Sequence, residues 1–400
     1  MRMTRLHGTP SRNTGFSRVS MNNIILLGLV SFINDASSKM IMPVLPLFIA
    51  SIGGSGLAVG IIAGISDSLA ALLKMFSGYW SDKYGKKKPF VLSGYGLSSV
   101  SKLMLAFSFS WWHVLLLRSS ERIGKGIRSA PRDAILAGST EEKNRGKSFG
   151  LHRAFDSGGS VLGSVMALML LVVFSFSFEA IFLAAGVLSF FSLIPLLPVR
   201  EVAGKAKKMS ILVSLSSLSP RLRLFIITAS VFSLANFSYM FFILRAQEFF
   251  SAGLSVSMPI ALYTLYLVLY TVFAVPAGSL SDRIGREKVL MLGYALFALT
   301  ALGFTMVSGI YFIVILFILY GIVYALVNAT ERAFVSDLAE KSSRGTALGT
   351  FHMATAISAL PGAIIAGLLW DAIGSSATFL YGASLAVVAC LMLSLVLLRK

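Results

Sequence analysis

The sequence predicts an all-α membrane protein whose twelve transmembrane helices form two pseudo-symmetric six-helix bundles. Three observations carry that expectation. Composition is the first: 56% of the 400 residues are hydrophobic and only 13% are charged, against about 25% charged in a soluble domain. Spacing is the second, because apolar stretches of roughly 20 residues, the length that crosses about 30 Å of hydrocarbon, recur with turn or charge signals between them. Repetition is the third. Gly78-Tyr-Trp-Ser-Asp82-Lys83-Tyr-Gly85-Lys86-Lys87-Lys88 and Gly278-Ser-Leu-Ser-Asp282-Arg283-Ile-Gly285-Arg286-Glu287-Lys288 share a Gly, Asp, basic, Gly, basic skeleton at identical offsets. A second match, at an offset of 199, pairs the run from Arg132 to Gly146 with the run from Glu331 to Gly345.

In the first half, helices are expected at 22–50, 55–81, 89–108, 112–137, 146–172 and 177–198. The basic tail 1–21 lacks the apolar core and small-residue cleavage site of a removable signal peptide, so helix 1 is expected to direct insertion. Helix 1 carries Asn34, Asp35, Ser38 and Lys39; an acid four residues before a base predicts an ion pair within the helix. Asp35 is a candidate proton carrier, since apolar enclosure favours its neutral form and a nearby ammonium its charged form. Helix 2 ends at the first loop motif, where Gly78 and Gly85 suit close helix approach and a tight turn and Asp82 sets a carboxylate between Gly78 and the basic residues Lys83 and Lys86. Helix 3 runs from those lysines to a stretch free of Lys and Arg.

Helix 4 is the most charged. Arg118, Glu121, Arg122, Lys125, Arg128 and Arg132 advance by three or four residues and fall on one face. The stripe extends roughly 21 Å, too far for every member to snorkel to a headgroup. Two readings follow: a cationic wall of a solute path, with Arg118, Arg122 or Lys125 in contact with the solute, or a network with Glu121, Asp133, Asp67 and Asp156. Arg128 and Arg132, farther along, are expected to be structural. Helix 5 adds His152, Arg153 and Asp156, with Asp156 expected to neutralise helix 4 and standing as the second proton-carrier candidate. After helix 6, residues 199–220 are rich in Lys, Ser and Gly and read as a mobile or amphipathic linker with no sign of a catalytic domain.

The second half, 221–400, repeats the scheme with helices at 221–250, 257–281, 288–307, 310–337, 344–370 and 375–398. Arg245 and Glu248 in helix 7 are read as an external gate. Helix 8 carries Tyr263, Tyr266 and Tyr270 and leads into the second motif, with Gly278, Asp282, Arg283, Gly285 and Arg286. Tyr320, Tyr324, Asn328 and Glu331 share one face of helix 10, suited to stacking and hydroxyl contacts with an organic solute. Cys390, the one cysteine, excludes an intrachain disulfide or a cysteine metal cluster.

Lys and Arg are retained in short cytoplasmic loops, and here they are one-sided. They occupy the tail (Arg2, Arg5, Arg12, Arg18) and the loops with Lys86 to Lys88, Lys143 and Arg145, Lys205, Lys207 and Lys208, Lys341 and Arg344, and the end (Arg399, Lys400). The alternate loops contain none, so both termini are expected in the cytoplasm. The net charge of +18 is then mostly topological, with anionic lipid headgroups as counterions rather than nucleic acid.

The doubled skeleton resembles the cytoplasmic loop signature of the major facilitator superfamily, found between helices 2 and 3 and again between helices 8 and 9, and the resemblance covers Asn22 to Lys400. It implies a monomeric secondary transporter whose bundles rock about a midplane site. The motif resembles a gate latch. A carboxylate can accept hydrogen bonds from a helix N-terminus, which assigns Asp82 to the start of helix 11 near Gly345 and Asp282 to the start of helix 5 near Gly146. Arg122-Ile-Gly-Lys-Gly-Ile-Arg128-Ser-Ala-Pro-Arg132-Asp133, the run from Arg145 to Asp156, and Ile243-Leu-Arg245-Ala-Gln-Glu248 resemble a prokaryotic branch often labelled efflux permeases. The chain departs from that branch where Lys39, Ala63, Tyr239 and Asn328 replace acids, and helix 5 reads Gly163-Ser164 where antiporters have Gly-Pro.

Enzyme signatures are missing from the sequence, and no cofactor or metal is expected. Gly146-Lys147-Ser148 ends like a phosphate loop, but its first glycine position holds Glu141 and no strand precedes it. The expected function is transport of a small organic solute, anionic or zwitterionic, driven by protons or another ion across the cytoplasmic membrane. Proton-coupled multidrug efflux is the second reading, and a non-transporting receptor or scaffold the third.

Overall fold

The computed structural model describes residues 14–140, 144–201, 218–251, 253–307, 309–340 and 344–398. Arg2, Arg5, Arg12, Lys143, Lys205, Lys207, Lys208, Lys341, Arg399 and Lys400, which orient the chain by charge, lie outside the described residues, as do 202–217 of the expected linker. The described residues are helical, without strands. The first half contains α1 (Thr14–Ile41), α2 (Leu45–Ser51), α3 (Gly56–Tyr84), α4 (Lys88–Met104), α5 (Trp111–Gly138), α6 (Arg145–Val172) and α7 (Phe178–Phe191). The second contains α8 (Pro220–Ala235), α9 (Tyr239–Gln247), α10 (Ser257–Ile284), α11 (Arg286–Thr305), α12 (Ile310–Leu338), α13 (Arg344–Ala372) and α14 (Ser375–Leu398).

Three of the expected helices differ from the sequence reading, each for a local reason. Helix 1 begins at Thr14 and is split into α1 and α2, because Pro43 has no N–H to donate to the preceding turn. Helix 7 is split at Asn236 to Ser238, where Ser238 Oγ accepts from Met240 N at 3.3 Å and starts α9. Helix 6 stops at Phe191; Pro195 and Pro198 leave only three-residue turns, such as Leu196 N to Leu193 O at 3.1 Å. Ten spans are long and apolar enough to cross a membrane among the described residues. The other two of the twelve are α5, whose charged stripe lowers its apolar content, and α7, which has 14 residues.

In the first half α1 packs along α6 and α7, α5 lies between α3 and α4, and α4 meets α7. Lipid offers no hydrophobic drive between helices, so small residues and close backbones hold such packing together. A Cβ at Gly163 would stand 2.0 Å from the Ala36 carbonyl oxygen, and one at Gly94 2.5 Å from that of Gly124. The second half is an aromatic core in which α12 lies between α10 and α11, and α13 and α14 pack on α8. Phe242 stacks on Tyr320 at 4.0 Å and Phe304 on Phe379 at 5.0 Å.

The alternation of the spans gives the molecule a terminal end, where α1 begins and α14 finishes, and an opposite far end. Both loop motifs lie at the terminal end. Gly85, at φ 65°, caps α3 in the left-handed region, and Gly285 holds φ 97° before α11, conformations that other residues adopt at a cost. A Cβ at Gly78 would stand 3.3 Å from that of Ala130, as expected of a close approach, whereas Gly278 faces nothing within 4 Å. Glu201 accepts from Lys87 N at 2.7 Å and Lys88 N at 3.0 Å, fastening the start of the inter-half connection to α4.

Candidate functional site

The charged stripe of α5 meets α3 and α4 rather than lipid, and most of it is already paired. Arg118 donates to Glu121 at 2.8 Å, with both side chains almost fully buried. Arg122 lies 3.7 Å from Glu121 and 3.3 Å from Asp67 of α3. Arg128 sits 4.3 Å over the Tyr95 ring and donates to Ser98. Arg132 donates to Asp133 at 2.9 Å and to Ser31 of α1 at 3.0 Å. Lys125, in mid-stripe, is exposed and makes no side-chain hydrogen bond or ion pair among the described residues.

On α1 the expected Asp35–Lys39 pair does not form. Lys39 instead reaches across to the second half and donates to Tyr263 OH at 3.3 Å, while Asp35 accepts from Asn34 at 3.5 Å. The partner of Asn34 is a residue the sequence reading passed over: Lys102 of α4, fully buried, donates to Asn34 O and Oδ1, each at 3.1 Å, and to Ser189 at 3.4 Å. A lysine inside an apolar span is itself a signal, and Lys74 of α3 is a second that went unread.

Asp156 approaches His152 at 3.6 Å and Arg153 at 3.8 Å on its own helix, and Arg132 and Lys125 of α5 lie within its electrostatic reach. Its Oδ1 is buried without a hydrogen-bond partner. Arg153 is exposed and also donates to Tyr270 of α10 at 3.4 Å.

The tyrosines of the second half form a chain of ring contacts, Tyr263 tilted against Tyr266 at 5.5 Å, Tyr266 stacked on Tyr320 at 4.8 Å and Tyr320 edge-on to Tyr324 at 5.0 Å. Tyr263, Tyr266 and Tyr320 are buried, so they chiefly pack. Tyr324 is different: it donates to Asn236, in the α8–α9 break, at 3.4 Å and faces a cavity of about 190 Å³. Asn328, Glu331, Arg332 and His352 also line that cavity. Glu331 accepts from Tyr294 at 2.8 Å. Arg245 and Glu248 do not span the halves; they pair with each other and with Ser375 of α14, tying one bundle together.

The contacts expected of the gate motif are not made in this conformation. Asp82 makes no hydrogen bond or ion pair among the described residues, and Asp282 pairs with Arg286 at 2.9 Å, which also binds Asp337 at the end of α12. Gly146 and Gly345, the expected helix starts, have nothing within 4 Å of a would-be Cβ. The reason is that the halves part toward the terminal end.

The seams between the halves, α3 on α13 and α6 on α10, close toward the far end. A Cβ at Gly60 would stand 2.2 Å from the Ala363 carbonyl oxygen. Ser68 donates to Ala356 O at 2.8 Å, and Ser164 and Thr264 hydroxyls meet at 2.7 Å. At the extreme far end Asp371, of α13, accepts from the backbone N–H of Gly56 at 2.7 Å and of Leu57 at 2.8 Å. Ser55 accepts from Ala58 at 3.4 Å, so three of the four open donors of α3 are satisfied. The chemistry expected of Asp82 at one end of the molecule is therefore carried out at the other by Asp371. Its counterpart by the offset of 199 is Val172, which cannot do the same.

Among the described residues no group of three His, Cys, Asp or Glu is placed to hold a metal ion. What remains is a cleft between two helical bundles, open at the terminal end, with Lys125 at mid-depth on one wall and Tyr324 on the other.

The comparisons agree with the two-bundle helical fold. The profile of the Major Facilitator Superfamily matches residues 27–263 and 246–400. An uncharacterised MFS-type transporter of Methanocaldococcus jannaschii is 44% identical over 386 residues, covering 96% of each chain. The multidrug resistance protein MdtH of Escherichia coli is 24% identical, over 82% of this chain and 81% of that one. Among solved structures, the nucleoside transporter NupG superposes with a TM-score of 0.78 at 16% identity, covering 94% of this chain and 99% of its own.

Proposed function

The chain belongs to the Major Facilitator Superfamily, a family of membrane transporters and not of enzymes, and on that premise we propose that it moves a small organic anion or zwitterion by alternating access. The observation that carries the charge preference is Lys125: every other cation of the α5 stripe has an acidic, hydroxyl or aromatic partner, and Lys125 is exposed in the cleft with none. An unneutralised ammonium inside a membrane is costly unless a cavity or ligand compensates it. Tyr324 and Asn328 on the opposite wall supply hydroxyl and amide contacts. The basic terminal end faces the cytoplasm by the distribution of Lys and Arg, which makes the described state cytoplasm-open. The protein works as a monomer in the cytoplasmic membrane, driven by a proton or other ion gradient, with Asp35 and Asp156 as the proton carriers. The motif aspartates Asp82 and Asp282 act as the inner latch in the opposite state.

Thermal shift of the purified protein against matched anionic, zwitterionic and cationic solutes tests the reading. Stabilisation by anions that is lost in Lys125→Gln is the expected result. Stabilisation by lipophilic cations alone overturns it and puts proton-coupled drug export first, the reading favoured by the name of the Escherichia coli relative.

A further inference from the structure

On the terminal side of the Ser68–Ala356 contact, and beside the Arg153–Tyr270 contact between the halves, four cationic or protonatable side chains from four helices face one another. Lys74 of α3 and Arg153 of α6 come from the first half, Arg332 of α12 and His352 of α13 from the second, and all four are exposed. Lys74 lies within electrostatic reach of Arg332 and Arg153, Arg332 of Arg153, and His352 of both Arg332 and Lys74. Arg332 and His352 line the 190 Å³ cavity. Six residues separate Lys74 from Ser68, about 9 Å along α3, so the group stands where the halves begin to part.

The carboxylates nearby are committed. Asp133 holds Arg132, Asp156 is shared between His152 and Arg153, and Glu331 accepts from Tyr294. Lys74 and Arg332 make no side-chain hydrogen bond or ion pair among the described residues. Positive charge therefore faces positive charge across the opening between the bundles, and like charges in a low-dielectric cleft repel far more than in water. Lys125 stands at a similar depth, since a Cβ on its neighbour Gly126 would meet the Leu73 side chain at 2.7 Å and Lys74 N at 3.3 Å.

We propose that Lys74, Arg153, Arg332 and His352 form an anion subsite bridging the two halves, which with Lys125 selects solutes bearing two or more negative charges, such as a di- or tricarboxylate. The inference rests on the anion reading of Lys125 and deepens it. Empty, the subsite props the terminal end open; a multiply charged anion held between Lys74 and Arg153 on one side and Arg332 on the other cancels the repulsion and lets the halves approach. A monoanion satisfies Lys125 alone and leaves the opposing charges in place. Binding and closure are then linked through the differential affinity of the two states for the same ligand.

The test uses the full chain in lipid nanodiscs, with Cys390→Ala and spin labels at Gly150→Cys and Gly349→Cys, both in open space on α6 and α13. The inter-label distance is followed while acetate, succinate and citrate are added at constant ionic strength. Citrate and succinate are expected to shorten the distance, and acetate, which satisfies Lys125 alone, to leave it unchanged at concentrations about tenfold higher. Arg332→Gln and Lys74→Gln are each expected to raise the citrate midpoint about tenfold, and Arg332→Lys to restore most of it. If acetate and citrate bind alike through Lys125, and Arg332→Gln changes neither, the subsite is refuted while anion recognition stands. If no anion stabilises the protein and Lys125→Gln is silent, the underlying reading falls as well.

Discussion

Replacing Asp371 should loosen the far end of the seam without disturbing either bundle. Its carboxylate accepts two backbone N–H bonds, at 2.7 and 2.8 Å, from the first turn of α3 in the other half. Hydrogen bonds to an ionised group contribute about 1.5–3 kcal/mol when buried, and a charge at a helix N-terminus about 0.3–1 kcal/mol at an exposed site. Asp371 is exposed and only the bond from Gly56 N is part-buried, so about 1–2 kcal/mol for the whole contact is the appropriate scale, or roughly 5- to 30-fold in an equilibrium constant. Asp371→Ala should shift the closed-to-open ratio at the far end by that factor. Asp371→Asn, which keeps one acceptor oxygen and loses the charge, should fall between. Ser55 still caps α3 in both variants, so thermal stability should change little. The measurement is a distance distribution between spin labels at the exposed Ser51 and Ile373, beside the seam. Identical distributions in wild type and both variants would refute the latch.

Three further outcomes follow from the packing. Lys102→Met should raise the thermal midpoint, because a fully buried ammonium held only by neutral oxygens gives way to an apolar chain of similar volume. Lys102→Ala should lower it by leaving a cavity, and a drop in both variants would show the ammonium to be net stabilising. Gly163→Leu should abolish folded protein, since α6 lies against the Ala36 carbonyl, whereas Gly150→Leu, in open space, should be neutral by size-exclusion chromatography. Arg286→Gln breaks exposed pairs to Asp282 and Asp337 and should cost under about 1 kcal/mol; a larger loss in chemical denaturation would mean that the motif loop holds the second half together.

The twelve spans, the duplication and the charged face of α5 were legible because each is written in periodicity. Hydrophobic length, a repeated loop and a three-to-four spacing survive without knowledge of neighbours. Partner choice was not legible, since a helix face constrains direction but not which of several facing groups is within 3 Å. Asp35 and Lys39 have the spacing of an ion pair, yet the cross-half hydroxyl of Tyr263 wins Lys39. Asp156 lies within reach of Arg132 as well as of His152 and Arg153 on its own helix, and the spacing alone does not rank these partners. Lys102 and Lys74 each stand in an apolar span without the three-to-four repeat that marks a charged helix face. The breaks at Pro43 and at Asn236 to Ser238 carried signals that the apolar run concealed. Which end closes cannot be read from a duplicated sequence at all, because pseudo-symmetry describes both states equally; only Asp371, without a counterpart at Val172, breaks the tie.

The composition of the α5 stripe also bears on energetics beyond binding. The cations of the stripe have Glu121, Asp67 and Asp133 as ion-pair partners and Asp35 and Asp156 within electrostatic reach, but Lys39, Lys74, Lys102 and Arg153 add further positive charge, so the described spans of the first half carry net positive charge. A charge displaced through the full transmembrane voltage exchanges about 2.3 kcal/mol per 100 mV, and a rocking bundle moves its charges through part of that field. Net charge that shifts as the bundles rock would make the resting voltage itself a bias on orientation, and on the anion reading proposed above a bound anion would cancel part of it.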